Sequence, residues 1–378
     1  MAILRLRTIA FVVYLAVCAL TVPIRGAASQ NHPQVSLRDT EVRSIRSDII
    51  DQDFKLHVYL PRGYHESNRR FPVLYLTDSD AYFGFVRSMV ANLQFGNLAP
   101  ALVVVGIAYE EDTESYLKKR ERDLLPVQVR NNPGSGRAAD FAAFLREDVF
   151  PFVESKYRVD PGDRTIAGLS AGATFASYVL ATTPDLFSRY IIVSPYFIHG
   201  QEVVLELEAE YAAEHDRLPA QVYTAMGELE PDYAREPWET LVENLRSQAY
   251  PDLELDSETL TGLSHMDVVF TAYVHGVESV FSEGLNTLEA VPENYAACVG
   301  RYDVTVNDML FTVRAGDGRL FISRSGEYWD ELIPVSDTRF EVKQNRDVQM
   351  SFVADRNGAV TRLIIHQAGV DLPAEKVQ

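Results

Sequence analysis

The run Gly168-Leu169-Ser170-Ala171-Gly172 brackets a serine with two glycines. Before it, Arg164–Leu169 has the apolar content of a strand, and from Ala171 onward the spacing is helical. In that setting a G-x-S-x-G run predicts a sharp strand-to-helix turn that presents a hydroxyl above a sheet, at a helix N-terminus whose dipole favours negative charge. The flanking residues must be small because the turn is tight. A serine hydroxyl is a poor nucleophile until a base takes its proton, so the same chemistry requires a histidine and a carboxylate to orient it. The expected chain order is serine, acid, histidine.

Of the eight histidines, His32, His57 and His65 precede Ser170, and His199 and His215 precede the stretch where an acid is expected. His275 falls inside a helical run and His366 in a strand-like one. His265, in the polar loop Gly262-Leu263-Ser264-His265-Met266-Asp267, is the expected base. The acid should stand just past a strand end, where a side chain points to the catalytic edge. Gly227-Glu228-Leu229-Glu230-Pro231-Asp232 follows such a strand and offers three carboxylates. Glu230 is the first choice, Glu228 the second and Asp232 the third. A developing oxyanion needs two backbone N–H donors. Ala171, directly after the serine, should supply one, and the loop Asp78-Ser79-Asp80-Ala81-Tyr82 the other, with Asp80 taken for it. The chain carries no HExxH, P-loop or G-x-G-x-x-G run, so neither a metal nor a cofactor is expected.

These residues need a scaffold. Gln52–Pro61 alternates apolar and polar side chains, as an antiparallel strand does, while Pro72–Thr77 and Ala101–Ile107 are short apolar runs of the kind buried on both faces. Helical spacing covers Ala81–Leu93 and Ala139–Tyr157, the latter kinked or split at Pro151. Strands at Arg189–Ser194, Gln221–Met226 and Leu253–Leu260 alternate with helices at Ala234–Ala249 and Val268–Phe281. The alternation predicts an α/β fold, a mostly parallel sheet with helices on both faces. Glu110–Ala138 and the acidic helix Glu202–His215 interrupt it. The first is expected to be a long surface excursion near the carboxyl edge of the sheet, and the second a solvated helix or a lid. After Val291-Pro292, short alternating runs separated by Ala-Gly-Asp-Gly, Ser-Gly and Arg-Asn-Gly turns predict a small all-β module over 292–378.

Residues 1–28 have the form of an export signal. Arg5 and Arg7 precede the uncharged run Ile9–Val22, which is shorter than the roughly 20 residues of a spanning helix, and small residues follow at Gly26, Ala27, Ala28 and Ser29. The expectation is an exported protein, periplasmic or secreted, with no stable membrane insertion after cleavage and a catalytic domain over 37–287. Cleavage near Ala28 leaves Cys298 as the one thiol, expected to be a buried small apolar residue. Lys+Arg total 35 against 54 Asp+Glu, a formal charge of −19, which argues against nucleic acid as a partner because phosphate neutralisation needs a basic face.

RRFPVLYLTDSDAYF (69–83), RERDLLP (120–126), the stretch 144–195 around GLSAG, and GLSHMDVV (262–269) together resemble the putative-esterase branch of the α/β-hydrolases. That branch includes siderophore trilactone esterases, S-formylglutathione hydrolases, feruloyl esterases and mycolyltransferases. The resemblance implies Ser170 as nucleophile and His265 as base, and agrees with Glu230 as acid, although some siderophore esterases of this type work with a Ser–His dyad. Ser79 stands where the family has glycine, and Tyr196-Phe197 replace a tryptophan-rich stretch. VGRYDV (299–304) and DRNGAVTRL (355–363) resemble the β domain appended to some secreted serine hydrolases.

The expected function is therefore exported serine ester hydrolysis on a small-molecule ester or lactone. Acyl transfer on the same site and a catalytically silent binding protein are the alternatives. An intact Ser–acid–His order argues against the silent protein. A strongly anionic substrate would need a local basic patch, for which Lys118, Lys119, Arg120 and Arg122 are the best candidates. The acidic balance of the chain favours neutral or weakly charged esters instead.

Overall fold

A computed structural model describes residues 35–65, 68, 70–95, 98–281, 293–304, 309–316, 319–324, 329–343 and 345–377. Residues 1–28, where an export signal is expected, and the junction at Val291-Pro292 lie outside the described residues. The chain divides at Arg38/Asp39; of the first unit only 35–38 are described, as exposed coil.

In the second unit, β1 (Thr40–Ser47), β2 (Gln52–Tyr59), β3 (Phe71–Leu76), β4 (Val103–Ala108), β5 (Val159–Leu169), β6 (Arg189–Val193), β7 (Ala220–Gly227) and β8 (Leu253–Leu260) form one sheet in the order β1-β2-β4-β3-β5-β6-β7-β8. β1, β2 and β4 pair antiparallel, and every pair from β4 to β8 is parallel. The apolar runs behave as parallel strands buried on both faces should. Val103, Val105 and Ile107 enter one core while Leu102 and Val104 enter the other.

Helices cover both faces. The helices α1 (Ser79–Phe95) and α8 (Val268–Phe281) bury Val86, Met89, Val90, Val269, Tyr273 and Val277 in one core. On the other face lie α2 (Thr113–Leu124), α3 (Ala138–Phe144), α4 (Phe150–Lys156), α5 (Ala171–Thr182), α6 (Val203–Glu214) and α7 (Asp232–Ser247), which contribute Leu124, Phe141, Val153, Phe175, Val204 and Leu241. The α-helical pattern expected to kink or split at Pro151 is interrupted one turn earlier instead. Leu145–Val149 is a π-turn in which the Phe150 N–H bonds Leu145 O, five residues back, before the helix resumes over the proline. The excursion 110–138 is not wholly surface. It contains α2, whose Asp123 and Leu124 are buried.

The tail is a closed eight-stranded antiparallel barrel: β9 (Gly300–Val304), β10 (Met309–Gly316), β11 (Arg319–Ser323), β12 (Asp330–Pro334), β13 (Arg339–Val342), β14 (Asn345–Ala354), β15 (Val360–Gln367) and β16 (Val370–Val377), with β9 paired to both β10 and β16. Closure removes sheet edges, and Tyr302, Ile322, Leu332, Phe340, Phe352 and Leu363 fill the interior. Cys298 packs into this core, and burial pushes its thiol up to about 11. The alternating runs anticipated five of these strands. β12 (DELIP) and β16 (VDLPAEKV) are rich in Asp, Glu, Lys and Pro, residues depleted in strands, and barrel closure rather than propensity makes them pair. Among the described residues no helix is long and apolar enough to cross a membrane.

Candidate active site

β5 ends at Leu169 and α5 begins at Ala171, so Ser170 alone makes the turn. It does so at φ 58, ψ −119, a left-handed conformation that a residue with a Cβ adopts only under strain of about 1–3 kcal/mol. The turn is held by Ser170 N–H to Val193 O (3.0 Å) and Thr174 N–H to Ser170 O (2.9 Å). Both glycines are obligatory for space. A Cβ on Gly168 would lie 2.3 Å from the Gly172 carbonyl carbon, and one on Gly172 would lie 2.2 Å from Thr77 Oγ1.

Glu230 and His265 arrive from the ends of β7 and β8. The turn after β7 is joined to the histidine loop by Glu228 N–H to Leu260 O (3.0 Å) and Leu229 N–H to Leu263 O (2.9 Å). Gly227 allows this approach, since a Cβ there would meet Leu263 O at 2.5 Å. Across the junction His265 Nδ1 lies 2.8 Å from Glu230 Oε2. The Glu230 side chain is 3% exposed and that of His265 40%, so the carboxylate is sheltered while the ring faces solvent. Glu230 Oε1 accepts from the Ser194 hydroxyl and from Gly227 N–H. Burial works to raise the Glu230 pKa. The hydrogen bonds from His265 and Ser194, the charge of the imidazole and the Gly227 N–H outweigh it, holding the carboxyl below its ordinary value.

The other two acids are otherwise engaged. Glu228 Oε2 accepts the Gly262 N–H at 2.7 Å and braces the histidine loop, while Asp232 pairs with Arg235 at 2.5 Å on the surface. Ser194 had no signal in the sequence. It sits buried just past β6 at φ 46, where the strand end rather than any local motif brings its hydroxyl to Glu230.

Ala171 and Asp80 are the first and second residues of α5 and α1, positions whose N–H groups have no acceptor within a helix. Ala81 and Tyr82 N–H groups turn back onto Asp78 O. Among the described residues the Ser79, Asp80 and Ala171 N–H groups have no hydrogen-bond acceptor. Asp80 directs its carboxylate to Tyr109 N–H (2.9 Å) and Glu110 N–H (2.8 Å) at the end of β4. Ser79, the departure from glycine, is buried with its hydroxyl 3.0 Å from His57 Nδ1. Gly106 makes room, because a Cβ there would lie 2.0 Å from Ser79 Oγ.

The basic cluster does not form an open patch. Lys118 pairs with Glu114 (2.6 Å), Lys119 with Glu111 (2.5 Å) and Arg122 with Asp123 (2.6 Å), and Arg120 turns inward to Asp78 (2.7 Å). In and just after the two loops that carry Glu230 and His265, the apolar side chains Leu229, Tyr233, Met266 and Phe270 are each at least half exposed, interspersed with the exposed carboxylates Glu228, Asp232 and Asp267. Phe270 packs edge-on against Phe85 at 5.1 Å. Among the described residues no cluster of His, Cys, Asp and Glu could hold a metal ion. The arrangement offers a strained serine hydroxyl, an oriented imidazole and free N–H groups on one sheet edge, the requirements of acyl chemistry.

Residues 47–252 match the family described as "Putative esterase". The chain is 31% identical to the ferri-bacillibactin esterase BesA of Bacillus subtilis (strain 168) over 225 residues, 53% of this chain and 77% of that protein. Its fold is similar to that of the BES protein from Bacillus cereus (TM-score 0.61, 24% identity, 66% of this chain and 97% of the other). It is also similar to an IroE-like serine hydrolase from Shewanella oneidensis (TM-score 0.58, 21% identity, 64% and 80%). The chain thus belongs to the putative-esterase family of α/β-hydrolases and is a carboxylic-ester hydrolase.

Proposed function

We propose that the protein is an exported serine esterase in which Ser170 Oγ attacks the ester carbonyl while His265 takes its proton. The π electrons of the carbonyl move onto oxygen, and the Ala171 and Asp80 N–H groups receive that charge. Collapse expels the alcohol, protonated by His265, and leaves an acyl-serine. Water, deprotonated by the same imidazole, then releases the acid and restores Ser170. Glu230 orients His265 and stabilises its cation. The 2.8 Å Glu230–His265 contact, together with the strained Ser170 turn at the end of β5, carries this reading. Arg5, Arg7, the run Ile9–Val22 and the small residues after it support export, with 1–28 removed.

The substrate in this reading is a neutral or weakly charged ester, with metal-free lactones tolerated. The paired basic cluster and the exposed apolar and acidic side chains in the Glu230 and His265 loops, which offer an anion no counter-charge, support it. BesA, by its name, is an esterase of ferri-bacillibactin. The test compares kcat/KM for a neutral aryl ester, a metal-free siderophore trilactone and its ferric complex at low and high salt. The neutral ester and the free lactone should be preferred, with little salt dependence. A preference for the ferric complex that weakens with salt would reverse the charge argument.

The β barrel is read as an accessory module over 292–378, since Ser170, Glu230 and His265 all lie upstream. A chain ending at Glu289 should remain folded and hydrolyse a small aryl ester at a rate within about threefold of the full chain. An insoluble or inactive fragment would make the barrel part of the catalytic fold.

A further inference from the structure

Arg120 lies in α2, far from Ser170 in sequence, yet its guanidinium joins both halves of the proposed oxyanion site. Asp78 precedes α1 at φ 54, a left-handed conformation costly for a side-chain-bearing residue, and its carbonyl accepts the Ala81 and Tyr82 N–H groups that start the helix. Its carboxylate is buried, so it must be paired. Arg120 Nε reaches Oδ1 at 2.7 Å and Nη2 reaches Oδ2 at 2.9 Å, and the Tyr116 hydroxyl donates to Oδ1 at 2.8 Å. Arg120 Nη2 also donates to Leu169 O at 3.1 Å, the carbonyl of the peptide that enters Ser170. One planar cation therefore spans from the residue that precedes α1 to the peptide that begins the serine turn.

The two parts are already in contact. A Cβ on Gly172 would lie 3.3 Å from Asp78 Oδ2 as well as against Thr77. A small shift of Asp78 would move the Asp80 N–H relative to that of Ala171, and acyl chemistry is sensitive to displacements of about 1 Å at about the 10²-fold level. Burial opposes the Arg120 charge, but Asp78 more than offsets it and holds the guanidinium protonated. Lysine could not replace it, because a point charge has no fork with which to hold two carboxylate oxygens and a carbonyl at once.

We propose that Arg120 is a positioning residue: through Asp78 and Leu169 O it sets the spacing of the two N–H groups that receive the oxyanion. The proposal rests on the serine-esterase reading above. Its test is Arg120→Lys, assayed with a neutral aryl ester and with an aryl trifluoromethyl ketone. That ketone adds Ser170 Oγ to its carbonyl carbon, passes the hydroxyl proton to His265 and leaves the charge on oxygen. We expect kcat to fall about 10²-fold with KM within about threefold, and ketone affinity to fall in parallel with kcat/KM. A residue that merely held the fold together would lower the melting temperature without that kcat-against-KM split. The double variant Asp78→Asn with Arg120→Gln removes both buried charges, so no ion is left unpaired, and should show the same split. A folded Arg120→Lys or double variant with kcat within threefold of wild type, or with unchanged ketone affinity, overturns the proposal. Ser170→Ala separates the two failures. If it stays active the serine reading falls, whereas a dead Ser170→Ala beside a fully active Arg120→Lys removes only the role of Arg120.

Discussion

Ser170→Ala should lower kcat for an activated aryl ester by roughly 10⁴- to 10⁶-fold and leave the melting temperature unchanged. The magnitude follows from removing the nucleophile of a unit whose members act together, so the residual rate comes from binding and oxyanion stabilisation alone. Stability is untouched because alanine keeps the Cβ, and with it the cost of φ 58 at this turn. Ser170→Gly should be equally inactive but more stable, by about 1 kcal/mol, since glycine adopts positive φ freely. A fluorophosphonate, whose phosphorus is attacked by the activated hydroxyl with loss of fluoride, should label wild-type protein at Ser170 and no other residue. Labelling elsewhere with hydrolysis intact would remove Ser170 from the mechanism.

Glu230→Gln should cost about 10³- to 10⁴-fold in kcat. The amide still accepts from the Ser194 hydroxyl and the Gly227 N–H, so the pocket around it keeps its hydrogen bonds. Toward His265, however, it then presents an NH2 donor in place of an acceptor, so Nδ1 cannot keep its proton there and the imidazolium loses its counter-charge. Glu228→Gln should stay within about threefold, because its carboxylate only accepts the Gly262 N–H. Asp232→Asn should be neutral, its partner Arg235 lying on the surface. Mild and equal losses from all three would instead mean that Ser170 and His265 work as a dyad. The depressed Glu230 pKa adds a pH signature. A carboxyl whose folded value lies below its unfolded value contributes stability above the unfolded value near 4.3, and that contribution is lost as pH falls through the folded one. Wild type should therefore lose more stability than Glu230→Gln on acidification below about pH 4.5.

Some of this molecule was legible along the chain because its causes are local. The Ser170 turn needs a small residue at 168 because the Gly172 backbone lies against it, a contact within five residues of sequence, although Gly172 itself is kept small by the distant Thr77. The strands β3, β4 and β6 are apolar runs because parallel strands are buried on both faces, and the helix α8 follows from its own spacing. His265 could be reached by elimination, since no other histidine stands in a loop after the acid. Other assignments depend on groups distant in sequence. Glu228, Glu230 and Asp232 are chemically alike within five residues, and only the pairing of β7 with β8 decides which one meets His265 and which holds Gly262. Ser194 acquires its partner 36 residues away through the pairing of β6 with β7. The cluster Lys118 to Arg122 carries one charge pattern in sequence, but burial splits it. Lys118 stays on the surface with Glu114, while the buried Asp78 carboxylate requires a cation and takes Arg120 inward. Residue type and spacing determined the sheet, the serine turn and the kind of chemistry. Which carboxylate, which hydroxyl and which cation complete the site was decided by packing, because a buried charge must be paired with whatever the fold brings within reach.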